Sequence, residues 1–181
     1  MKPRYVVDTN VLVAASAADP VHPHDVGATP DDPLLRMQIW QWLDHFQQSD
    51  SRLVLDLAGE IFHEYQQKLG FNDFGIQVVM HKWSTAAVDT VVVDYDADGA
   101  AVLPPVLAAV VHDMADRKMV AAALAALERF GQTCVAFAGD TDWHDWEHTL
   151  RAHHIELEPL IEAWSRQKHA DKHLRTNHRG R

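Results

Sequence analysis

Short apolar runs rich in β-branched residues alternate along this chain with longer stretches of helical period. Tyr5, Val6 and Val7 predict a first strand that stops abruptly at Asp8. Thr9 and Asn10, both favourable at a helix start, lead into VLVAA and a first helix. Residues 18–33, dense in Asp, Pro, Gly and His, read as a loop. The run LLRMQIWQWLDHF from Leu34 towards Gln48 has helical periodicity, with Trp40, Trp42 and Phe46 as bulk for a core or an interface. A second strand is expected at Arg52–Leu55, then helices over Asp56–Leu69 and Phe71–Ser84. Val88–Val93 predicts a third strand, apolar enough for burial on both faces. Beyond a loop at 95–105 the longest helix runs from Ala115 to Phe130 and ends on Gly131. Thr133–Ala138 predicts a fourth strand, followed by a helix to Ala152, a short fifth strand around Ile155 and Leu157, and a last helix over Glu158–Ser165.

Strands separated by helices call for a three-layer α/β/α fold around a central, mostly parallel five-stranded sheet. No internal repeat or linker divides the chain, so residues 1–165 are expected to form one domain. Residues 166–181 carry six Lys/Arg and one Asp, a charge of +5, leaving −15 of the net −10 on the rest. That end is expected to be a flexible basic tail, with Arg175, Arg179 and Arg181 as candidates for holding RNA phosphates. An acidic body is a poor generic coat for nucleic acid. At 47% hydrophobic and 23% charged residues the chain has ordinary globular composition. Its single cysteine, Cys134, lies in an apolar run and suits a reducing, cytoplasmic setting. No stretch approaches the roughly 18 apolar residues of a membrane helix.

The chemistry follows from where the acids fall. Asp8 comes just after the first strand, Glu64 lies in the helix after the second, Asp116 in the helix after the third, and Asp140 and Asp142 just after the fourth. In a parallel sheet all of these belong to the carboxyl edge, where ligands bind. Each has a bland explanation: Asp8 as a helix cap, Glu60 and Glu64 as a solvated face, Asp113 and Asp116 as companions of a helix dipole. Convergence is what would make them a site. Clustered carboxylates repel unless a cation compensates, and hard divalent ions such as Mg²⁺ or Mn²⁺ prefer oxygen ligands. No Cys cluster or HExxH spacing competes for zinc, and Walker A, GxGxxG and GxSxG patterns are absent. The His22/His24 and His144/His148 pairs read as surface residues.

The run VVDTNVLVAA, the later EIFHEYQQKL, the DMADRKMVAAAL segment and the closing FAGDTDW together resemble the successive acidic motifs of the PIN-domain ribonucleases, which include VapC-type toxins of toxin–antitoxin pairs. The resemblance spans Tyr5 to Trp146. It implies a five-stranded parallel sheet and Mg²⁺- or Mn²⁺-dependent hydrolysis of RNA phosphodiester bonds. On this resemblance Asp8, Glu64, Asp116 and Asp140 are the catalytic, metal-holding acids, with Asp142 near the metal. Thr9, Asn10 and Asp113 are supporting residues. An antitoxin-like protein and a homodimer are the partners implied. Two rival readings stay open: a catalytically idle PIN fold that binds proteins, and a phosphatase of the haloacid dehalogenase type. The phosphatase chemistry needs an acid where this chain has Asn10.

Overall fold

A computed structural model describes residues 1–21, 23–24 and 27–179, with side chains up to 175. Its centre is a five-stranded, all-parallel sheet in the order β3-β2-β1-β4-β5. The strands are β1 (Arg4–Val7), β2 (Arg52–Asp56), β3 (Val88–Val91), β4 (Cys134–Phe137) and β5 (Glu156–Pro159). The helices are α1 (Thr9–Ala17), α2 (Pro33–Gln48), α3 (Glu60–Lys68), α4 (Phe74–Ser84), α5 (Pro105–Ala108), α6 (Met114–Phe130), α7 (Asp142–Ala152) and α8 (Glu162–Arg179). This is the expected three-layer α/β/α arrangement. No helix among the described residues is long and apolar enough to cross a membrane.

β1 takes the middle of the sheet because Tyr5, Val6 and Val7 tolerate burial on both faces, and all three are fully buried. It pairs with β2 through Tyr5 opposite Leu53 and with β4 through Val6 opposite Val135. From β1 the chain builds outward through β2 and β3, then returns to the other side for β4 and β5. The β1–β4 boundary is thus the point where strand order reverses, the place at which open parallel sheets form a binding crevice outside the carboxyl ends of their strands. α6 crosses the sheet against β1, β2, β3 and β4, and the buried Ala121, Ala122, Ala123 and Ala126 on this helix let it approach closely. α1, α2 and α4 pack on one another as a helical layer. Tyr5 meets Trp42 and Phe46 edge-on, so these aromatics are core.

Four expectations are corrected. β3 is an edge strand and stops at Val91; it is only partly buried, and Val92 beyond it is exposed. The helix after β2 begins at Glu60 rather than Asp56, because the Asp56 carboxylate turns back to accept from Glu60 N at 2.9 Å and Ile61 N at 2.8 Å. Gly59 makes that turn with a φ of 85°, a conformation open to glycine. Residues 158–159 belong to β5, and the helix that follows does not end at Ser165. It continues to Arg179, so residues 166–179 are the body of α8 rather than a flexible tail. α8 docks on α7 through polar side chains: Ser165 with His144, Arg166 with Glu147, and Lys172 with Asp142. A helical face built from such groups carries no apolar period to read. His22 and Arg181 lie outside the described residues, as does the side chain of Arg179.

Candidate active site at the carboxyl edge

Asp8 follows the last residue of β1, and its backbone N–H still donates to Ala136 O of β4 at 2.9 Å, which fixes the side chain at the switch point. It caps α1 weakly, with Oδ1 accepting from Asn10 N at 3.3 Å. The other oxygen, Oδ2, is buried without a hydrogen-bond partner. Trp143 Nε1 is likewise buried and unpartnered, although the indole lies near enough to favour the ionised carboxylate. Burial first, then the charges of Asp140 and Glu64, push the Asp8 carboxyl well above the usual range.

Asp116 sits in the first turn of α6, behind Asp113, and is 9% exposed. Burial raises its pKa, and Asp8, Asp140, Asp113 and Glu64 raise it further. Asp140, in the turn after β4, is raised by burial and by Asp142 and Asp113, against the help of a hydrogen bond from Asp142 N at 2.8 Å. Each of these acids therefore feels the others. Burial and neighbouring negative charge act on all three acids in the same direction.

Three supporting residues lock the walls. Asn10 Oδ1 accepts from Gly139 N at 2.7 Å, tying the turn after β1 to the turn after β4. Gly139 permits that approach: a Cβ there would lie 2.6 Å from Asn10 Oδ1 and 2.3 Å from Thr29 O. Thr9 Oγ1 donates to Glu64 Oε1, joining α1 to α3. Asp113 is the N-cap of α6, accepting from Ala115 N at 2.8 Å, so it acts on the site only through its charge.

Two acids stand differently from their expected roles as free metal ligands. Glu64 has both oxygens engaged, Oε1 by Thr9 and Oε2 by Lys118 Nζ at 2.7 Å. Lys118, two residues past Asp116, is a cation at the site that the acidic motifs gave no reason to single out. Asp142 is ion-paired to Lys172 of α8 and so is drawn away from a ligand role. Among the described residues, the one set of three ligand atoms lying within 4.8 Å of one another is Asp145, His169 and His173.

The residues nonetheless fit a hard divalent cation. Their donors are carboxylate oxygens, one is orphaned in a buried site, and mutual repulsion waits for a positive charge. Lys168, Lys172 and Arg175 of α8 line a groove of ≈ 320 Å³ with Thr141 and Asp171, next to the turn that carries Asp140. Arg175 thus stands beside the site as one of the three arginines expected to meet phosphates.

No family model, no curated protein and no solved structure matches this chain.

Proposed function

We propose that this protein is a divalent-metal-dependent endoribonuclease of the PIN-like kind, working at the crevice between β1 and β4. The observation that carries the reading is the unpartnered Asp8 Oδ2, buried at a strand-order switch point beside Asp116 and Asp140, each with its pKa raised. Buried acids that disfavour their own charge are costly in an apo protein and useful in one that takes up Mg²⁺ or Mn²⁺. When bound, such an ion supplies Lewis acidity, neutralising charge at a phosphodiester and lowering the pKa of a nearby water. Asp8, Asp116 and Asp140 would hold it, with Glu64 joining by exchanging Lys118 or Thr9.

The chain's own residues do the rest. The Asn10–Gly139 bond ties the turn that follows Asp8 to the turn that precedes Asp140. Lys168 and Arg175 offer a cationic wall for the phosphates of an extended strand, with Lys172 beside them held by Asp142. Asn10 is taken up by Gly139, and it is an amide, so it cannot act as the second acid a haloacid-dehalogenase phosphatase requires. Antitoxin-like proteins and a second copy of the chain remain the partners the resemblance suggests.

The test is incubation of total RNA with the protein in Mn²⁺ and in chelator, with an aryl phosphate as control substrate. Cleavage of RNA in Mn²⁺ alone, lost in Asp8→Asn, is the expected result. Retained cleavage by that variant, or release of phosphate from the aryl ester without RNA cleavage, would overturn the reading.

A further inference from the structure

The strongest feature outside the crevice lies where α8 docks on α7. Asp145 is in the first turn of α7, and His169 and His173 are four residues apart on one face of α8. Asp145 Oδ1 lies 2.7 Å from His169 Nε2 and 2.8 Å from His173 Nε2, and the two ring nitrogens are 3.0 Å apart. Three ligand atoms thus form a nearly equilateral triangle.

Hydrogen bonding alone cannot satisfy that triangle. An imidazole nitrogen has one in-plane site, holding either a proton or a lone pair, and so serves one partner. If both rings donate to the carboxylate oxygen, two N–H groups are pressed together at 3.0 Å. If one ring donates to the other, one of the contacts to Asp145 is left without a proton or a matching lone pair. A single cation above the triangle satisfies all three atoms at once. With bonds of about 2.1 Å, ligand atoms sharing an octahedral face stand about 3.0 Å apart and those of a tetrahedral site about 3.4 Å apart. The observed separations match the first and reach the second by a small opening. Both rings present Nε2, and the site is open to solvent on the Asp145 and His173 side, which leaves room for water to complete the shell.

We propose that Asp145, His169 and His173 form a second metal site, distinct from the carboxylate crevice, that takes a borderline divalent transition ion of the Zn²⁺, Co²⁺ or Ni²⁺ class. Two imidazoles and one carboxylate select such ions over Mg²⁺, whereas the all-oxygen crevice has the opposite preference. Its role is that of a staple. Besides the hydrogen bond between Ser165 and His144, α8 is held to α7 by the surface ion pairs of Arg166 with Glu147 and of Lys172 with Asp142, which individually contribute little. A bound ion would fix the helix that carries Lys168, Lys172 and Arg175. The proposal does not depend on the ribonuclease reading.

Titration of the chelator-stripped full chain with Zn²⁺ by calorimetry tests it, alongside Asp145→Asn, His169→Ala, His173→Ala and, as a control, Asp8→Asn. One equivalent is expected to bind, with a higher melting temperature and slower amide exchange along α8. Affinity should fall at least about tenfold in each of the three α7–α8 variants and persist in Asp8→Asn. X-ray absorption of the Co²⁺-loaded wild type, expected to report two imidazole ligands, keeps the test decisive if a variant fails to fold. No Zn²⁺ binding by the wild type, binding unaltered by the His169 and His173 changes, or binding lost in Asp8→Asn would each overturn the proposal.

Discussion

Asp8 follows β1 and Asp56 ends β2, adjacent parallel strands that each lead into a helix, and both side chains are buried, at 5% and 2% exposure. Asp56 is fully satisfied: Oδ2 accepts from Glu60 N and from Tyr95 Oη at 3.0 Å, and Oδ1 accepts from Ile61 N. Asp8 has one long bond of 3.3 Å to Oδ1 and nothing on Oδ2. Asp56 meets only donors, whereas at Asp8 the Asn10 N–H and the Trp143 indole are set against the charges of Asp140 and Glu64. A carboxylate at a strand end is a structural cap when its neighbours donate to it. It becomes a reactive group when they repel it and leave an oxygen unfilled. Position in the pattern does not separate the two; the partners do.

The largest effect is expected at Asp8. Asp8→Asn keeps the weak cap and removes a repelled charge, so RNA cleavage should drop by about a thousandfold, while metal-free melting stays level or rises by a few degrees. Gel-resolved cleavage and calorimetry on one preparation check both halves. Asp56→Ala should do the reverse. Two backbone N–H groups and a tyrosine hydroxyl lose their acceptor, at a cost of about 3 kcal/mol, or roughly 6–12 °C in a chain of this size. Cleavage per folded molecule should persist.

Acidity sharpens the same contrast. Asp8, Asp116 and Asp140 have folded-state pKa values above their unfolded ones. The native state therefore holds protons that the unfolded chain sheds, and stability present near pH 4 is lost as pH rises through the raised values. Metal-free melting should fall between pH 5 and pH 8 by the equivalent of about 1 kcal/mol or more, and Asp8→Asn should flatten that slope. Mn²⁺ should raise the melting temperature more at pH 8 than at pH 5. A metal-free midpoint that climbs across this range would contradict the assignment. The smallest effect is expected at Asn10. Asn10→Ala leaves Gly139 N without its acceptor, costing about 1 kcal/mol and loosening the crevice, so cleavage should weaken about tenfold with the stability loss still modest.

Much of this was legible along the chain. Apolar β-branched runs broken by Asp or Gly marked β1 and β4, and with them the strand ends that Asp8 and Asp140 follow. What the pattern could not convey depends on partners distant in sequence. Lys118 neutralises Glu64 from another helix, and Lys172 captures Asp142 from a segment expected to be a loose tail. The continuation of α8 past Ser165 was hidden because its docking face there is made of His169, Lys172 and His173, not of leucines. Asp56 and Asp8 have the same local grammar, and only the fold shows which of them has donors waiting.

Mn²⁺ binding measured by calorimetry on the His169→Ala/His173→Ala background, compared among otherwise unaltered, Asp8→Asn, Asp116→Asn and Asp56→Asn chains, tests the crevice most directly. Mn²⁺ uptake is expected for the first and for Asp56→Asn, with loss in Asp8→Asn and in Asp116→Asn. Equal affinity in all four, or none in any, would contradict the crevice assignment.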